Sequence, residues 1–223
     1  MGIKNQLILA YSGSLNAYTP ENKLKWLNRI KGFFWTYHHD TVDDSTRSGY
    51  YLIKAVRILK EKYQIQSDEL NIQLWGSIDP VNQKQVLSEG VQEYFEFGSY
   101  MDKQNSLKKL EAASILFLPL EKSNRKGFKT LFIPGKLFEY IKTGKPILAL
   151  AEASDCRTIL ERSGLGICVQ PDDPEKIAQV LENIIRKREI LEAYKPQSDY
   201  ISTFTFENKT AELAAVFNQL IVK

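Results

Sequence analysis

Lys136 and Glu139 stand three residues apart in PGKLFEYIKTGKP, residues 134–146, between the apolar runs SILFLPL (114–120) and PILALA (146–151). Residues at that spacing share one face of a helix, so an ammonium and a carboxylate would meet a ligand together. The ammonium can hold a phosphate, and the carboxylate can accept hydrogen bonds from vicinal hydroxyls. A ligand with both groups joins phosphate to sugar. Gly135 opens the same helix and counts among the ligand-facing residues, and both charged side chains are expected in the first turn.

Two more stretches offer anion-binding chemistry. Gly13, between Ser12 and Ser14, would let backbone come close to a ligand at the end of a strand. DDSTRSGYYLIKAVRIL opens another helix, with Ser45, Thr46 or Ser48 as caps and Arg47 at its lip; a helix start beside a guanidinium fork is a ready anion site. In addition, Lys122, Arg125, Lys126, Lys129 and Lys136 all precede the next acid, Glu139. Taken singly these are a tight turn, a surface arginine and a solvated loop. Together, at the ends of strands, they converge on a phosphate.

Other chemistries lack their residues. YSGSLNAY has one glycine where the dinucleotide signature G-x-G-x-x-G has three, and no G-x-x-x-x-G-K-[ST] loop occurs. His38 and His39, in HHD, are the only histidines and have no third ligand at metal-binding spacing, so no nucleophile triad can be built either. Asp43-Asp44 and Asp172-Asp173 read as acids leading helices. Cys156 and Cys168 are expected to be reduced thiols.

The elements that must hold these residues alternate. Strands are predicted at 6–12, 70–76, 93–98, 114–120, 146–151 and 166–170, and helices near 49–63, 80–88, 103–112, 135–143, 154–163 and 174–193. The strands are near-continuous apolar runs, as in parallel sheets covered on both faces. A β-α repetition of this kind predicts a Rossmann-like, doubly wound α/β fold of about six strands, with ligands outside the carboxyl ends of the strands. The 223 residues suit a single domain. A net charge of +3 is too mild for a nucleic-acid partner. With no apolar run of bilayer length and no signal-peptide pattern, the chain reads as cytoplasmic.

Two segments break the rhythm. Residues 16–46 form an insertion in which Thr19-Pro20 reads as a helix start, followed by Leu24, Leu27, Ile30 and the aromatics Phe33, Phe34, Trp35 and Tyr37 among basic residues. It is expected to lie outside the ligand pocket and to pack on its own domain, a partner domain or a second copy of the chain, with peripheral membrane contact as the alternative. The second segment is a tail helix at about 205–221.

The set YSGSL, LNIQLWGS, YFEFGSY, AASILFLPL, PGKLFEYIKTGKPILAL and SGLGICVQPDDPEKIAQVLENII resembles the C-terminal domain of group 1 (family 4) glycosyltransferases. The P-x-K-L-F-E-Y-x-x-x-G-K-P string is its most specific part, and the likeness covers nearly all of the chain outside 16–46. It implies one half of a GT-B fold, the half that binds a nucleotide-sugar donor. By that resemblance Glu139 would hold the ribose hydroxyls, and Lys136 and Arg47 would neutralise the diphosphate without a metal. Gly98, Ser99 and Tyr100 would frame the base, and Gly13 and Ser14 belong to the phosphate-facing first loop. Many members carry a glutamate eight residues before the ribose-binding one; here that position is Leu131. The resemblance further implies a missing N-terminal acceptor domain, to which the tail helix would cross, and a retaining transferase when both halves are present. A non-catalytic nucleotide-sugar-binding module and a fragment of a GT-B-like sugar-nucleotide epimerase are the alternatives.

Overall fold

A computed structural model describes residues 6–16, 42–123 and 130–221. Six strands form one parallel sheet: β1 (Leu7–Ser12), β3 (Leu70–Trp75), β4 (Phe95–Gly98), β5 (Ile115–Pro119), β7 (Ile147–Leu150) and β8 (Gly166–Val169), in the order β4-β3-β1-β5-β7-β8. The long helices are α1 (Tyr50–Glu61), α2 (Pro80–Ser88), α3 (Lys103–Ala112), α4 (Gly135–Lys142), α5 (Asp155–Arg162) and α6 (Pro174–Arg186). The Rossmann-like reading of the sequence is the fold.

Side chains alternate along each strand, so β1, β5, β7 and β8 feed two cores, while β3 and β4 give apolar side chains to one of them only. Leu7, Leu9 and Tyr11 of β1 join Ile115 and Phe117 of β5 beneath α1, α2 and α6. Ala10, Leu116 and Leu118 face the other way, onto Leu110 of α3, Leu137 and Tyr140 of α4, and Leu160 of α5. Helix starts are fixed by side chains: Asp79, Asp102, Ser154 and Asp173 each accept a backbone N–H in the first turn of α2, α3, α5 and α6. Asp173 is therefore a helix-leading acid, as its position predicts.

β1 pairs with β3 on one side and β5 on the other. The chain thus leaves β1 in one direction and later returns to build in the other. That reversal opens a crevice beyond the carboxyl ends of β1 and β5, where doubly wound sheets receive ligands.

Several expectations change. The helix predicted at 174–193 ends at Arg186; Lys187 leaves helical geometry (φ −130°, ψ 76°) and a 3₁₀ turn spans Arg188–Ala193. That break lets Leu191 and Tyr194 pack against the core beneath α1 and α6, a tertiary gain that outweighs local helix propensity. The cap of α1 falls on Gly49, after a 3₁₀ turn at Asp44–Arg47, while Ser48 Oγ accepts the Tyr50 N–H at 3.1 Å. A two-stranded antiparallel ribbon of β2 (Val42–Asp43) and β6 (Lys122–Ser123) is too short to leave a pattern in sequence. A short helix, α7 (Ser198–Ser202), precedes the tail helix α8 (Phe206–Ile221). The Thr19-Pro20 helix start, the aromatic cluster and the HHD triplet lie outside the described residues.

Candidate nucleotide-sugar site

β1 runs out at Ser12, and the chain turns through Gly13 at φ +139°, backbone that favours glycine. The Gly13 N–H donates to the Trp75 carbonyl at 2.9 Å, holding the turn against the end of β3. A Cβ at Gly13 would stand 2.1 Å from Lys136 Nζ. Glycine is what gives the ammonium room at this turn. Lys136 also lies 3.9 Å from the centre of the Tyr11 ring, and the Tyr11 hydroxyl donates to the Ser14 carbonyl at 2.5 Å. From α4, the fully buried Tyr140 hydroxyl accepts the Ser12 N–H at 3.2 Å, pinning the same turn to the helix that carries Lys136.

Arg47 arrives from the 3₁₀ turn before α1. Its guanidinium stands 3.5 Å from the Glu121 carboxylate and 5.0 Å from the centre of the Phe132 ring. Between these groups lies a cleft of about 170 Å³, walled by Tyr11, Ser14, Asn16, Arg47, Phe132 and Lys136 above the end of β5. Desolvation lowers the Lys136 ammonium to a pKa of about 8, with the Glu139 charge raising it and the Arg47 charge lowering it further. An ammonium under those conditions gains from an incoming anion. The cleft can hold a phosphate-sized group between two cations.

The structure thus gathers Gly13, Ser14, Arg47 and Lys136. Glu139 falls one turn deeper into α4 than the first-turn position expected for it, with its side chain 56% exposed and 3.5 Å from Lys103 Nζ. It does not wall the cleft, although its charge reaches Lys136. Gly98 ends β4 under Trp75, where a Cβ would lie 1.6 Å from the indole ring. Ser99 and Tyr100 follow it, both exposed, Tyr100 at 82%. Gly135 has open space where a Cβ would be, so its role is set by no contact. Of the basic run, Lys122 is held by Asp172, and Arg125, Lys126 and Lys129 lie outside the described residues. Leu131 is 84% exposed.

Tyr11, Phe132 and Glu121 were not legible as site residues, since each reads as core or loop until the turn folds over it. Asn16, the first residue of the expected insertion, does wall the cleft, where parallel bridges join Leu15 to Ile78 and Asn16 to Ser48; residues 17–41 of that insertion lie outside the described residues. Among the described residues, no group of three or more His, Cys, Asp or Glu side chains could hold a metal ion.

The family model described as "Glycosyl transferases group 1" matches residues 45–187, more than half of the chain. The chain belongs to the group 1 glycosyl transferases. Solved structures with the same fold include WaaG, a glycosyltransferase involved in lipopolysaccharide biosynthesis (18% identity, TM-score 0.57, 96% of this chain and 47% of that one). HepE of Anabaena, in complex with UDP-glucose, matches at 14% identity and TM-score 0.61, over 98% of this chain and 50% of that one. Sucrose-phosphate synthase of Thermosynechococcus elongatus matches at 16% identity and TM-score 0.61, over 98% and 46%. The chain therefore spans about half the length of these glycosyltransferases. No curated protein matches its sequence.

Proposed function

We propose that this group 1 chain is the donor-binding half of a retaining glycosyltransferase that moves a sugar from a nucleoside diphosphate to a carbohydrate or lipid-linked acceptor. The observation that carries the reading is the Lys136 ammonium, seated against Gly13 at the carboxyl end of β1 and facing Arg47 across the cleft. Breaking the bond between the anomeric carbon and the diphosphate oxygen leaves negative charge on the departing group. Preplaced cations stabilise that charge without moving as it develops. Lys136 and Arg47 take that role; Gly13, Ser14 and Gly135 bring backbone to the donor, Glu139 takes the ribose hydroxyls, and Gly98, Ser99 and Tyr100 frame the base. The acceptor side belongs to an N-terminal domain beyond this chain, without which donor binding proceeds and transfer does not. Among the described residues no helix is long and apolar enough to cross a membrane. As part of the same proposal, the enzyme works in the cytoplasm and meets a lipid-linked acceptor at the inner membrane face.

Calorimetric titration with UDP, GDP, ADP and their sugars tests the reading, first in excess chelator and then with magnesium restored. Binding is expected in chelator, because the cations are the protein's own, and it should weaken with salt. Binding that vanishes in chelator and returns with metal overturns the lysine-and-arginine grip. Glu139→Ala should weaken the nucleotide roughly ten- to more than a hundredfold, the loss of a charge-assisted acceptor; unchanged affinity in a folded variant removes Glu139 from the site.

A further inference from the structure

Asn82 lies on α2, is 1% exposed and walls no part of the cleft. Its carboxamide is bonded to backbone of two remote segments and of its own helix cap. Oδ1 accepts the Gly49 N–H at 3.1 Å. Nδ2 donates to the carbonyls of Asn16 at 3.1 Å and Asp79 at 3.2 Å. The partners fix which way the amide faces, since one side offers an N–H and the other only carbonyls. A buried amide with all its bonds made rigidifies what it touches, and one left half-bonded is costly.

These segments meet at the cleft. Asn16 walls it, Arg47 stands two residues before Gly49, and Asp79 caps the helix that carries Asn82. The Asn16–Ser48 bridge and the Asn82 carboxamide tie the backbone beside Arg47 to the Ser14–Asn16 wall. We infer that Asn82 is a positioning residue of the anion site: it holds the turn bearing Arg47 against the Ser14–Asn16 wall and acts through Arg47 without touching the ligand. The inference rests on the reading of the cleft as a diphosphate site.

A double-mutant cycle on the full chain tests it, with affinity measured for whichever of UDP, GDP and ADP binds tightest. Asn82→Asp keeps the shape but removes both donors and sets a carboxylate against carbonyl oxygens. Gly49→Ala is milder: its Cβ would stand 2.9 Å from Asn82 Oδ1, at an ordinary backbone φ of −73°. It carries the cycle should the aspartate variant fail to fold. Each substitution is expected to weaken nucleotide binding about tenfold, the scale of one broken buried hydrogen bond. In an Arg47→Ala background each should change affinity by less than about twofold, because residues acting through one another are not additive. A loss that persists undiminished without Arg47 overturns the positioning role while the anion site stands. If Arg47→Ala by itself leaves affinity unchanged, the diphosphate reading fails and takes the inference with it.

Discussion

Helices α6 and α8 carry the same kind of pattern and meet opposite fates. On α6, Ile177, Ala178 and Leu181 are fully buried, packed beneath the sheet with Leu52, Val56 and Leu59 of α1. On α8, Leu213, Phe217 and Leu220 also fall on one face, yet they are 54%, 54% and 66% exposed, and Phe206 is 92% exposed. Periodicity specifies a face and says nothing of what covers it. For α6 the cover comes from the same chain; for α8 no side chain among the described residues supplies it. Between them stands α4, which buries Leu137, Tyr140 and Ile141 and turns Lys136 toward the cleft.

The contrast can be broken at its strongest point first. Leu181→Ala in α6 should cost about 2–5 kcal/mol, the lost transfer energy plus the cavity left behind, read from urea midpoints. A loss below about 1 kcal/mol would mean that the α6 core collapses to fill the gap. Next comes the half-buried charge of Lys136. Lys136→Met should stabilise the chain by about 1–3 kcal/mol near neutral pH while abolishing nucleotide binding. The folded lysine titrates at about 8, below its unfolded value of about 10.4. Between those values the unfolded chain holds more protons, so wild-type stability rises with pH. The advantage of the methionine variant should therefore be full below about pH 8 and fade above it. Thermal melts from about pH 6 to about pH 10 decide this, and a constant difference would sink it.

Two smaller effects sharpen the exposed side. Glu139→Ala removes a solvent-facing pair with Lys103 and a charge that favours the Lys136 ammonium from an exposed position, so stability should fall by no more than about 1 kcal/mol whatever happens to binding. Phe217→Ser on α8 should change the unfolding energy of this chain by less than about 0.5 kcal/mol. A loss above about 1 kcal/mol would mean that α8 already packs against something.

Much of this was legible, and the reasons differ by element. β5 and β7 could be read because both their faces are buried, which makes each an apolar run; β3 and β4 instead alternate apolar and polar residues, with one face in the core. Helix starts at Pro80, Lys103 and Pro174 were marked by acids and prolines whose capping is local. The end of α6 was not, since nothing in RKREILEAY breaks a helix; the break follows from packing Leu191 and Tyr194. Within the candidate site, Gly13, Arg47 and Lys136 stood out by residue type and position. Asn82 left no trace, because a buried amide bonded to two distant stretches of backbone looks in sequence like any surface asparagine.

The position of β1 at the centre of the sheet bears on how the chain assembles. Leu9 pairs with Ile72 on one edge and with Ile115 on the other. Ile115 follows Leu9 by 106 positions, which a ribosome adding about 5–20 residues per second takes roughly 5–20 s to synthesise. Throughout that interval one edge of an apolar strand has no native neighbour, and unpaired edges template the wrong contacts. Assembly of this sheet is thus gated by synthesis of β5, its fourth strand in chain order, and the nascent chain is most in need of a chaperone before β5 emerges.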